Sequence, residues 1–158
     1  MIEVRYQRWL LRADPDATRA AYAQITKGAP ETCGCDPCLN FAAARDRTWV
    51  PAARALLDRL GIDYTREAEV YHLTPIGGGL HAYGGWFHFV GAIEAGDDSS
   101  VDDGAGGRRL ELEAAGEHLS LGFTRRTALV PAPFIGQSIV QLEFTAEVPW
   151  IVDRPEPD

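Results

Sequence analysis

Lysine is almost missing from this chain: Lys27 is the only one. Lysine and arginine together number 15 against 23 aspartates and glutamates, a formal net charge of −8. A field of that sign repels phosphate backbones and anionic bilayers, so no nucleic acid and no membrane surface is expected as a partner. The pairs Arg108-Arg109 and Arg125-Arg126 sit among Asp102-Asp103, Glu111, Glu113 and Glu117 and make no basic stripe. Long apolar runs are also missing. None approaches the roughly 20 residues that a spanning helix needs. Met1 to Tyr6 alternates in character and lacks the basic-then-apolar order of a secretory leader, so the expected location is cytoplasmic. Gly77-Gly78-Gly79 is glycine-rich, yet it lacks the G-x-x-x-x-G-K-[ST] pattern of a phosphate loop. G-x-S-x-G and H-E-x-x-H are absent too. No catalytic residue can be assigned, and whether the protein is an enzyme stays open.

Cysteine is scarce everywhere except in one place. All three cysteines fall in Thr32-Cys33-Gly34-Cys35-Asp36-Pro37-Cys38. An odd count in a reducing compartment argues against a disulfide framework and for metal binding, thiol chemistry or buried thiols.

The rest of the chain reads as a globular domain, with 46% apolar and 24% charged residues. Ile2, Val4 and Tyr6 alternate with polar residues, the period of a half-buried strand, here expected to run towards Leu11 with a slip near Trp9. Asp14-Pro15-Asp16 is a helix start: a capping side chain, then a residue suited to the first turn, then a carboxylate on the positive end of the dipole. Its stripe Ala17, Ala21, Ile25 predicts a helix up to Gly28. Asp36-Pro37 starts a second helix to about Arg47. Pro51 starts a third, and its apolar face ends at Gly61-Ile62 as a Schellman cap would.

From Glu69 the period changes to two. Strands are expected at 69–73 and 80–91, joined by the turn residues between them, then at 110–113 and 119–123, and from Val140 to Val148. Tyr83, Phe87 and Phe89 alternate with Trp86, His88 and Val90, so this strand is apolar on both faces and expected to be central. Its aromatic residues read as core, although a ligand pocket built on them would have His81, His88 and the Gly84-Gly85 backbone at its rim. Helices early and antiparallel hairpins late define an α+β fold. The expectation is one domain over residues 1–152, about three helices packed on an antiparallel sheet drawn mainly from the second half. The acidic, glycine-rich stretch 96–107 is expected as a mobile loop and residues 153–158 as a frayed tail.

The cysteine cluster supports three readings. Cys-x-Cys-x-x-Cys puts three soft ligands on one tight loop, and Zn²⁺ in a tetrahedral site needs one more. His72 and His81 are the candidates, because a hairpin centred on Ile76-Gly77 would set them opposite one another. The metal set is therefore Cys33, Cys35 and Cys38 with His72 or His81, most simply a structural zinc in a binding or interaction module. In the second reading Cys35-Asp36-Pro37-Cys38 resembles the thioredoxin active-site motif Cys-x-Pro-Cys. That resemblance implies thiol–disulfide exchange, with Cys35 attacking and Cys38 resolving. Thioredoxin-like domains place the motif directly after a parallel strand, whereas here a helix and a loop precede it. The third reading is a metal-free interaction protein whose cysteines only pack. His88, between apolar neighbours, reads as a core histidine with a partner, and His118 as solvated. Asp36 reads as a cap and Asn40 as exposed in the first turn. A protein partner, a small ligand and a homodimer all stay open.

Overall fold

The computed structural model describes residues 1–158. Its N-terminal strand is two strands, β1 (Ile2–Tyr6) and β2 (Trp9–Ala13). They form a hairpin in which Tyr6 pairs with Trp9. Gln7 makes the turn with a left-handed φ of 50°, a conformation that no turn-forming glycine announces.

Helix α1 (Pro15–Tyr22) starts as expected, with the Asp14 carboxylate accepting the Ala17 amide at 3.0 Å. It ends at Tyr22, short of Gly28, because the amides of Gln24 and Ile25 close onto the carbonyls of Ala21 and Tyr22 three residues back. A further helix, α2 (Ala29–Cys33), was not anticipated; it is one turn long. Helices α3 (Asp36–Thr48) and α4 (Pro51–Leu60) fall where their Asp-Pro and Pro signals put them. Gly61 is left-handed at φ 83°, and the Ile62 amide donates to Leu57 O at 2.9 Å, which completes the Schellman cap.

The strands that follow are β3 (Glu69–Gly77), β4 (Leu80–Ala95), β5 (Ser100–Asp102), β6 (Arg108–Leu110), β7 (Glu113–Gly116), β8 (Leu119–Thr124) and β9 (Ile139–Pro149). Seven strands form one antiparallel sheet in the order β1-β2-β4-β9-β8-β7, with β3 also on β4. This is the α+β fold. Strand β4 is central, paired along β9 from Leu80 to Val90. On its other edge β3 and β2 leave a gap that α1 fills. The Tyr22 hydroxyl donates to His88 O at 2.7 Å, and Thr18 Oγ1 accepts the Val90 amide at 2.9 Å. Gly85 explains the glycine pair in β4, since a Cβ there would lie 2.3 Å from Glu69 O.

One sheet face packs on the helices. Phe41 and Trp49 meet Tyr83, Phe87 and Phe144 at ring separations of 5.0 to 6.0 Å. Arg45 of α3 holds Glu67 through two bonds of 2.9 Å and also reaches Glu31 of α2. This buried ion cluster ties α2, and so the cysteine loop, to α3 and to the chain entering β3.

Two stretches hold more structure than the sequence indicated. Stretch 96–107 carries β5, which pairs with β6 from Ser100↔Leu110 to Asp102↔Arg108. The acidic residues that suggested a loop satisfy their own turn: Asp102 and Asp103 accept the amides of Gly104, Ala105 and Gly107. Leu110 belongs to this ribbon, so the next hairpin opens only at Glu113. The tail folds back as well. Trp150 Nε1 donates to Arg154 O at 3.0 Å, and Glu156 meets His81 at 2.7 Å. No helix is long and apolar enough to cross a membrane.

Candidate metal centre

Cys33 is the last residue of α2. Gly34 follows at φ 70° and sends its amide back to Pro30 O at 2.9 Å. Only a left-handed residue reverses the chain so tightly, and glycine adopts it without strain. Cys35 is the extended N-cap of α3, with no side-chain cap bond, and Cys38 lies in the first turn. Helix end, reversal and helix start therefore aim three thiols at one point. Their sulfurs lie within 4.8 Å of one another, and Cys33 Sγ is 3.3 Å from Cys35 Sγ. A tetrahedral zinc with Zn–S bonds of about 2.3 Å sets its sulfurs about 3.8 Å apart, so this spacing suits one ion.

Cys33 and Cys35 are exposed, whereas Cys38 is buried. The amide of Cys35, and then the neighbouring sulfurs, hold the Cys33 thiol below its ordinary range. Burial first, and then the other two thiols, push Cys38 up. Crowded thiols resist ionising together, and a cation among them removes that resistance.

The histidines stand in a pair of their own. The turn falls at Gly78-Gly79, and bulges shift the register, so His72 lies opposite Tyr83 and His81 opposite Pro75. The rings still meet diagonally, with His72 Nε2 2.9 Å from His81 Nδ1. His81 is fully buried beside Trp150, and its Nε2 contacts Glu156 Oε1 at 2.7 Å. The group of three metal-capable donors whose atoms all lie within 4.8 Å of one another is Cys33, Cys35 and Cys38, and neither histidine joins it.

An ionised Glu156 carboxylate only accepts, so His81 Nε2 donates to it. The tautomer of the pair sets the rest: with His81 carrying one proton, Nδ1 accepts from His72 Nε2 and His72 Nδ1 keeps a lone pair, whereas with both ring nitrogens protonated His81 donates to His72 Nε2. Burial, and then the proximity of His81, lower the His72 pKa, which favours the neutral His72 ring.

Tyr83 joins the two groups. Its hydroxyl donates to Pro37 O at 2.8 Å in the first turn of α3, and the His72 ring packs edge-on against it at 5.2 Å. Burial pushes Tyr83 up to about 12, so it keeps its proton as a donor. Asn40, expected as exposed, is fully buried. It donates to Pro149 O and accepts the Ile151 amide at 2.7 Å, clipping the end of β9 to α3. Asp36 lies 3.6 Å from Arg154.

Tyr83, Trp150 and Glu156 did not emerge from the sequence as site residues. Tyr83 reads as plain core, and Glu156 sits 75 residues from its partner in a proline-rich tail. No family model, curated protein or solved structure matches the chain.

Proposed function

We propose that the protein binds one zinc ion through Cys33, Cys35 and Cys38 and works as a binding module held in shape by that ion. The observation that supports this most is that the three sulfurs all lie within 4.8 Å of one another. His72 is the proposed fourth ligand, through Nδ1. The chain Glu156–His81–His72 resembles the carboxylate–histidine arrangement that orients ligating imidazoles, and with His81 carrying one proton it leaves that nitrogen free. Coordination of His72 would bring β3 onto the cysteine loop. The ion would then tie α2, α3 and the β3–β4 hairpin together. The reducing cytoplasm is the proposed compartment, since it keeps thiolates available.

One observation favours a second reading, thiol–disulfide exchange: the C-x-P-C motif has an exposed Cys35 and a buried Cys38. Cys35 thiolate would attack a substrate disulfide and release one thiol. Cys38 would then displace the second, leaving a Cys35–Cys38 disulfide. Packing alone gives no reason for two exposed cysteines.

Metal analysis of protein purified under reducing conditions without chelator separates these readings, with thiols titrated in parallel. The expected result is about one zinc per chain with all three thiols protected. Cobalt substitution should give the absorption of a tetrahedral thiolate site, and His72→Ala should alter that spectrum more than His118→Ala. Metal-free protein with a reversible Cys35–Cys38 disulfide would replace the first reading with the second. Metal-free protein with three inert thiols would end both.

A further inference from the structure

The sheet face away from α3 holds buried polar groups that the metal centre does not use. Gln141 and Glu143 of β9 are 3% and 7% exposed. Beside them lies a cavity of about 560 Å³ whose lining includes Trp86, Arg108, Thr124, Arg126, Gln141 and Glu143. Ser100 of β5 and Arg108 of β6 both line it, so the stretch 96–107 expected as a loop contributes to one wall through Ser100.

The hydrogen bonds here have a fixed direction. The Ala128 amide can only donate, and it reaches Gln141 Oε1 at 2.9 Å. That sets the orientation of the glutamine amide. His88 Nε2 also lies 2.9 Å from Oε1 and therefore carries the proton. Gln141 Nε2 then donates to Glu143 Oε1 at 2.7 Å. Glu143 Oε2 is buried without a partner. At the far end of the chain His88 Nδ1 is also unpartnered. A buried carboxylate oxygen left without a donor is costly, and such atoms recur where a ligand completes the set. Burial pushes the Glu143 carboxyl above its ordinary range, opposed by Gln141. A cation in the cavity would reverse that shift.

The walls carry the opposite sign. The Arg108 guanidinium is held ready by Ser100, with Nε to Oγ at 2.9 Å and Nη2 to the carbonyl at 2.8 Å. Arg126 lines the same space. The Trp86 indole is fixed by its bond to Ala128 O at 3.0 Å. One acidic residue, two arginines and a tryptophan around one cavity complement a molecule with a cationic nitrogen at one end and a carboxylate at the other.

We propose that this cavity binds a small zwitterion of the amino-acid class, its ammonium at the Glu143 carboxylate and its carboxylate at Arg108 and Arg126. The site is separate from the cysteine centre and does not depend on the zinc reading.

The test is an amide NMR titration of the full chain with each common free L-amino acid, to about 10 mM, the weak limit for a small polar ligand. Saturable shifts at Arg126 and Ala128 are expected for at least one of them. The N-acetyl and carboxamide derivatives of that binder, each lacking one charge, should bind about tenfold more weakly or worse, as should Glu143→Gln. Arg126→Ala, on an exposed side chain that leaves the fold alone, should weaken binding of the free acid but not of the carboxamide. Absence of saturable shifts from every amino acid overturns the proposal. So does wild-type affinity in Glu143→Gln, or equal affinity for the N-acetyl derivative.

Discussion

Towards α3 the sheet presents Tyr83, Phe87, Leu142 and Phe144, all fully buried. On the opposite face the same two strands present Trp86, His88, Gln141 and Glu143, because successive side chains of a strand alternate. Three of these four are buried as well. The first face is closed by aromatic packing, which needs no partners. The second depends on a directed hydrogen-bond chain that ends in an unfilled acceptor. Burial on the first face stabilises the fold. On the second an acceptor buried without a donor costs stability, a cost that the proposed ligand would offset.

The largest effect should come from breaking the packed face. Phe144 stacks on Phe41, meets Trp49 edge-on and lies tilted against Phe87. Phe144→Ala should lower unfolding free energy by about 3–5 kcal/mol, read from urea denaturation. A loss of under about 1 kcal/mol would show that this face is not the main source of stability.

Glu67 sharpens the contrast, because it is a buried carboxylate that is fully paired. Its side chain is wholly inaccessible, and Arg45 meets both of its oxygens at 2.9 Å. Glu67→Ala leaves Arg45 buried with Glu31 as its remaining partner. The expected loss is about 3 kcal/mol, at the lower end for breaking a buried pair because Glu31 stays. Thermal and urea melts at neutral pH read this loss, and an unchanged midpoint would contradict it.

The sequence made the helix-covered face easier to read than its opposite. Val140, Leu142, Phe144, Ala146 and Val148 define one face of β9 by alternation alone, and Asp-Pro, Pro51 and Gly61 mark helix ends through local chemistry. The polar residues between them look solvated, because alternation cannot say what covers them. Ala128 holds Gln141 and Trp86, Phe134 packs on His88, and β5–β6 lines the cavity beside them, a ribbon whose strands are three residues each, too short for periodicity to reveal. Helix α2 escapes for the same reason at five residues. The cysteine cluster was legible because six residues of chain hold it. The meeting of His72 and His81 was legible only in outline, since two bulges move the register. Glu156 was out of reach: its contact with His81 spans most of the second half of the chain.

The smallest effect should have the opposite sign and a pH dependence of its own. Glu143 keeps Oε1 bonded to Gln141 while Oε2 has no donor. Glu143→Gln preserves that acceptor, since the amide oxygen can take the Gln141 proton, and it exchanges the buried charge for a neutral amide nitrogen without an acceptor, the smaller of the two penalties. At pH 7 the variant should be more stable than the wild type by about 1 kcal/mol. The folded pKa of Glu143 is raised above 4.5 by burial. Between 4.5 and that folded value the native state binds the proton more tightly than the unfolded chain, so wild-type stability falls as pH rises through the interval. The penalty is complete above it and gone once both states are protonated. The advantage of Glu143→Gln should therefore shrink as pH falls towards 4 in paired urea melts, to nearly nothing below the unfolded value. A variant less stable than the wild type at pH 7 would mean that Glu143 is satisfied in solution, and the two faces would then not differ in the way their hydrogen bonds indicate.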